Sequence, residues 1–150
     1  MKAFVHKGQD IIYTTVEEPS VSRGEVKVRL KVAGLNHRDL NIPQRRGETD
    51  SALVLGSDGA GIIEEVGLDV TKYKVGDEVI LNPSLGWFDN SDAPPIGFEI
   101  IGNPDHGTFA EKIVISADQV EKKPTHLTWA ESGVLALSAL TGFRALFTKG

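Results

Sequence analysis

Residues 25–32, Glu-Val-Lys-Val-Arg-Leu-Lys-Val, alternate charged and apolar side chains without a break. A period of two puts Val26, Val28, Leu30 and Val32 on one face and Glu25, Lys27, Arg29 and Lys31 on the other. This is the pattern of a half-buried antiparallel strand. Residues 19–24, Pro-Ser-Val-Ser-Arg-Gly, supply the turn before it. Further strand candidates fall at 2–6, 11–16, 60–66, 78–81 and 110–115, punctuated by Gly76-Asp77 and by glycines 56, 59, 61 and 67. Many short strands with glycine at their corners predict a mainly β fold, a barrel or a sandwich, with a few helices.

At 150 residues with 40% apolar side chains, the chain is long and apolar enough to bury a core as one domain. It needs no covalent staple, and it contains no cysteine. That excludes a disulfide scaffold, a thiolate zinc site, an iron–sulfur cluster and a cysteine nucleophile. Sixteen basic against 21 acidic residues give a net charge of −5 with no Lys/Arg cluster, which argues against nucleic acid or a membrane surface as partner. The first ten residues lack an apolar core of signal-peptide length, and no run approaches ~18 apolar residues. A soluble, cytoplasmic protein is expected.

From Trp129 the period changes. Trp129, Gly133, Leu137, Leu140, Phe143 and Phe147 follow helical spacing. Thr128-Trp-Ala-Glu131 fits a capping box, with Pro124 upstream, Lys149 in the last turn and Gly150 as a stop. The expectation is one helix of about 20 residues. Residues 134–140 are apolar nearly all round, so either this helix lies deep in the domain or the chain continues in the natural protein.

Asn36-His37-Arg38-Asp39-Leu40 follows the alternating strand after a turn at Gly34. In one reading Asn36 caps a short helix over 37–42, with Asp39 in the first turn favoured by the helix dipole. In the other, Asn36, His37, Arg38 and Asp39 form a polar cluster at the mouth of the fold that holds a small substrate. Gly59-x-Gly61 suggests a dinucleotide loop, but position 64 is Glu and a β run follows where a phosphate cradle needs a helix N-terminus. His6 and His126 lack ligand-type neighbours, and His106 sits in an Asn-Pro-Asp-His-Gly turn. No metal site and no Gly-x-Ser-x-Gly elbow is expected.

Taken in order, Gly34-Leu-Asn-His-Arg-Asp39, Leu55-Gly-Ser-Asp-Gly-Ala-Gly61, Val66-Gly67, Val75-Gly-Asp-Glu-Val79, Gly107-Thr-Phe-Ala-Glu111 and the block 139–146 around Thr141 resemble the N-terminal, chaperonin-10-like (GroES-like) catalytic domain of the medium-chain dehydrogenase/reductase superfamily. The resemblance implies a partly open β-barrel over residues 1–128 and, over 129–150, a helix leading to an absent Rossmann nucleotide-binding domain. It also implies a fragment of a longer enzyme. In zinc-dependent members a catalytic Cys stands at the place of Asn36, a His at the place of Ser57, 21 residues on, and a third ligand near Leu137. Asn, Ser and Leu do not make a tetrahedral zinc site. The four-cysteine structural lobe is replaced by residues 84–90.

The resemblance therefore implies a zinc-free, quinone oxidoreductase-like branch that uses NADPH or NADH, bound mainly by the missing domain. Such an enzyme is expected to reduce a small quinone, enone or carbonyl and to form a homodimer. Asn36 and Arg38 become candidate donors to the substrate oxygen, His37 and Asp39 candidate proton carriers, and Asn36 and Thr141 the positions near the nicotinamide. A non-enzymatic GroES-like structural or interaction module is the rival implication, since fold similarity does not fix function.

Overall fold

A computed structural model describes residues 1–89 and 91–148. The alternating segment forms β3 (Glu25–Gly34), which lies between β5 (Asp58–Val66) and β9 (Lys112–Ser116), antiparallel to both. With β6 (Glu78–Leu81) and β10 (Val120–Lys122) the order of this sheet is β10-β6-β5-β3-β9. Val26, Val28, Ile63, Val79, Leu81 and Val120 pack its inner face and are fully buried. A second sheet, β2-β1-β4, joins β1 (Lys2–Lys7), β2 (Asp10–Thr15) and β4 (Leu53–Val54). A two-stranded pair joins β7 (Ser84–Leu85) and β8 (Glu99–Ile100).

The outer face of β3 is less wet than its alternation suggests. Lys27 is buried, with Nζ held between Glu18 at 3.1 Å and Glu65 at 2.9 Å. Lys112 makes matching pairs to Glu18 and Glu64, each at 3.0 Å. These pairs hold both ammonium groups charged and pull the Glu18 carboxyl below its ordinary range, the Lys112 hydrogen bond acting most strongly.

The fold is the mainly β, GroES-like one expected, and its sheets stay open and do not close into a complete barrel. Residues 109–111 cross from one sheet to the other: Phe4 N–H donates to Phe109 O at 2.8 Å, Glu111 N–H to Lys2 O at 3.0 Å, and Leu30 N–H to Glu111 O at 2.9 Å. This crossing stitches the two sheets at one corner and leaves the edge strands β9 and β10 unjoined. Gly59 and Gly61 lie within β5, not at a helix start. A Cβ on Gly61 would come within 2.3 Å of Arg29 O, so the glycine permits the backbone approach where the β3–β5 register shifts.

The single long C-terminal helix is corrected by the structure. The segment divides into α2 (Trp129–Gly133), α3 (Ala136–Phe143) and a wider turn of π type at Arg144–Thr148. The capping box is present, with Thr128 N–H donating to Glu131 Oε2 at 2.8 Å and Glu131 N–H to Thr128 Oγ1 at 3.3 Å. The break comes where Gly133 presses on β3: a Cβ there would lie 2.4 Å from Val32 Cγ1. Lys149 and Gly150 lie outside the described residues. Among the described residues no helix is long and apolar enough to cross a membrane.

Candidate functional site

β3 delivers its last residues to α1 (His37–Arg45), which runs three residues further than the sequence predicts. Asn36 is the N-cap: its N–H donates to Asp39 Oδ2 at 2.8 Å and its carbonyl accepts Asp39 N–H at 2.9 Å. Its side chain does something else. Nδ2 donates to Asp58 Oδ2 at 3.0 Å, across to β5.

In front of α1 lies a groove of about 1020 Å³, bounded by the β1–β2 hairpin, the end of β3 and residues 108–111. Phe4, Tyr13, Leu35, Leu40, Leu55 and Phe109 make its walls mostly apolar, and Asn36, His37 and Asp39 supply polar groups beside one another, with Lys2, Thr108 and Glu111 as further polar lining. His37 is exposed and Asp39 buried. Burial drives the Asp39 carboxyl above its ordinary range. Asn36 N–H and Arg38 oppose that shift, and the charge of Asp58 adds to it. Asp39 Oδ1 is buried with no hydrogen-bond partner.

Arg38 does not line this groove. Its Nη1 turns behind α1 and donates to Ser57 Oγ and to Ile101 O, the latter at 2.8 Å. Half-burial pushes the guanidinium pKa down, and Asp39 partly offsets this. Thr141 is also elsewhere. It lines a smaller groove of about 490 Å³ with Asn82, Trp87, Phe98, Leu140 and Arg144, and its Oγ1 donates to Leu137 O at 2.8 Å. Arg144 braces that groove, stacked 4.2 Å from the Trp87 ring and donating to Ser91 O at 2.6 Å.

The sequence reading missed Asp58. It is 1% exposed, and its second oxygen, Oδ1, accepts Leu137 N–H at 2.9 Å. One signal was available: an ionisable residue inside Gly56-Ser-Asp-Gly59 within a run of apolar and small residues must be satisfied by something once buried. His106 sits in its predicted turn and accepts Val54 N–H through Nδ1 at 3.0 Å.

Residues 22–125 match the alcohol dehydrogenase GroES-like domain, and the match takes in the whole five-stranded sheet, β4 and α1. The chain belongs to this family. A zinc-type alcohol dehydrogenase-like protein of Schizosaccharomyces pombe is 36% identical over 126 residues, which are 83% of this chain and 36% of the relative. A crotonyl-CoA carboxylase/reductase of Cereibacter sphaeroides is 33% identical over 147 residues, 88% of this chain and 34% of the relative. The crystal structure of an NAD-dependent alcohol dehydrogenase superposes with a TM-score of 0.90 at 29% identity, covering 99% of this chain and 47% of that one. This GroES-like domain thus spans between a third and a half of the length of these relatives.

Zinc-dependent relatives raise the question whether positions 36, 57 and 137 of this GroES-like domain fit the metal. The fold brings all three to Asp58, but with the wrong donors. The Asn36 amide nitrogen is engaged by Asp58. Ser57 Oγ donates to Ile101 O at 2.8 Å and accepts from the Arg38 cation, and Leu137 offers only its backbone N–H. A tetrahedral zinc wants thiolate, imidazole or carboxylate, and it would sit beside a guanidinium here. These residues do not fit zinc. Among the described residues no three His, Cys, Asp or Glu side chains converge.

Proposed function

We propose that this domain forms the substrate side of an NAD(P)H-dependent oxidoreductase that reduces a small quinone, enone or carbonyl without zinc. In this reading residues 1–128 are the catalytic domain and 129–150 the connection toward a nucleotide-binding domain. The protein works in the cytoplasm, as a homodimer. The carrying observation is the groove itself, a mostly apolar and aromatic lining that includes the amide of Asn36. Such a site takes a small apolar molecule and orients its one polar atom.

One Nδ2 hydrogen of Asn36 is directed at Asp58, which leaves the second to donate to a substrate oxygen. A donor held in place before the reaction stabilises negative charge as it develops there. Quinones and enones suit this weaker electrophile, because conjugation spreads the same charge. Buried Asp39 and exposed His37 line the groove beside Asn36 and are the candidate proton carriers.

When bound, a nicotinamide would supply the hydride. In this reading Asn36 and Thr141 lie near that ring, and the two are linked to each other through Asp58 and Leu137. No Gly-rich turn opening a helix is found among the described residues, so the phosphates would be held outside this domain. The test is steady-state NADPH oxidation by the longer protein with 2-cyclohexenone or a small quinone, before and after dialysis against a chelator. Turnover that survives chelation is expected. Turnover lost to the chelator and restored by zinc would overturn the zinc-free reading, and absence of turnover with any of these acceptors would overturn the substrate class.

A further inference from the structure

The two grooves are joined through a single carboxylate. Asp58 Oδ2 accepts from Nδ2 of Asn36, which lines the larger groove, and Oδ1 accepts from Leu137 N–H in the first turn of α3. Leu137 in turn lines the smaller groove, and its carbonyl accepts from Thr141 Oγ1 one turn later. We propose that Asp58 is a positioning residue: its carboxylate clamps the Asn36 side chain and the start of α3 into one unit, so that the Asn36 amide and Thr141 are placed together. This role deepens the proposed function and rests on it for its meaning in turnover.

Three observations carry the inference. Asp58 is itself fixed, lying opposite Gly34 in the β3–β5 ladder with its carbonyl accepting Thr108 Oγ1 at 2.8 Å. Next, α3 cannot cap itself, because its N-cap residue is Leu135 and provides no side-chain acceptor. A first-turn N–H left without a partner would be costly here, and Asp58, 79 residues earlier in the chain, supplies one. Finally, the two donors meet two different oxygens, so only a carboxylate serves both. An amide at position 58 has one oxygen, and its NH₂ would face a second donor. The Asn36 amide is therefore oriented by a residue that need not touch substrate.

The test has two arms. In the labelled chain, NMR couplings across the hydrogen bonds from Leu137 ¹⁵N and Asn36 ¹⁵Nδ2 to Asp58 ¹³Cγ are expected. Absence of both in the wild-type chain overturns the clamp without any variant. Asp58→Asn should speed exchange of Leu137 N–H by about tenfold or more, the loss of roughly one charge-assisted hydrogen bond, while amides of the β3–β5 ladder keep their protection. Unchanged Leu137 exchange would overturn it.

In the longer protein, kcat is compared for Asp58→Asn, Asn36→Ala and the double variant. If Asp58 acts through Asn36, the double variant falls no lower than Asn36→Ala alone. Independent, multiplying losses would overturn the positioning role and leave the reductase reading intact. An Asn36→Ala variant with full kcat would overturn the proposed site, and the couplings would then decide the clamp by themselves.

Discussion

Arg38 Nη1 donates to the main-chain carbonyl of Ile101 at 2.8 Å, and the same nitrogen reaches Ser57 Oγ. The guanidinium thus ties the start of α1 to Ser57, the residue before β5, and to the turn after β8, away from the groove that its neighbours Asn36, His37 and Asp39 line. A hydrogen bond from a charged donor is worth ~1.5–3 kcal/mol when both partners are shielded. Arg38 is only half-buried, so Arg38→Gln should cost the low end of that range in a denaturation experiment. Its effect on turnover should be smaller than that of Asn36→Ala. A larger loss of kcat in Arg38→Gln, with stability intact, would place the guanidinium on the substrate.

Asp39 carries a pH dependence of determined sign. Burial raises its folded pKa above the unfolded value, so its contribution to stability is fully present below the unfolded pKa and is lost as pH rises through the folded one. At neutral pH the folded state bears the cost of a buried charge. Asp39→Asn keeps an oxygen for Asn36 N–H and removes that charge. It should therefore raise Tm at neutral pH, and the gain should vanish under acid conditions where wild-type Asp39 is protonated in both states. A gain that grows toward low pH would contradict this.

Gly133 sets the contact between α2 and β3. A Cβ at this position would lie 2.4 Å from Val32 Cγ1 and 2.9 Å from Cγ2, so Gly133→Ala should destabilise by ~1–3 kcal/mol through overpacking. Val32→Ala in the same chain should recover most of the loss by making room. Chemical denaturation of both variants checks the coupling, and equal stability of the single and double variants would refute it.

At the end of α3 and in the turn after it the chain exposes Phe143, Leu146 and Phe147 at 62%, 72% and 74%, the two Phe rings 4.9 Å apart. An apolar patch of this kind promotes association. Sedimentation velocity should show self-association that grows with concentration and weakens in Phe147→Glu. A monodisperse monomer throughout would contradict it.

What could be read from the sequence was local. The alternation of residues 25–32 gave β3 because a period of two needs no knowledge of neighbours, and Thr128-x-x-Glu131 gave the start of α2 for the same reason. Asn36 and Asp39 could be placed as a cap pair at a spacing of three. The burial of Lys27 was not legible, because its partners Glu18 and Glu65 come from distant segments. Nor was the break between α2 and α3, which depends on Gly133 meeting Val32 and on Leu137 meeting Asp58. The open sheets follow from pairings of two or three residues, such as β4 and β10, too short to show any period. Asn36 and Thr141 could be named from blocks of sequence, but their separation into two grooves and the carboxylate between them belong to the folded chain.

The central claim is that the Asn36 side chain serves chemistry and is not only a cap. Asn36→Ala in the longer protein decides it, with kcat for an enone and unfolding free energy measured on the same variant. Removing one oxyanion-type donor commonly lowers kcat by ~10²–10³. Here a fall at or below the lower limit is predicted, because a conjugated substrate shares the charge, with cofactor affinity nearly unchanged. A loss of ~1 kcal/mol of stability with kcat intact is what a helix cap alone would give, and it would contradict the account.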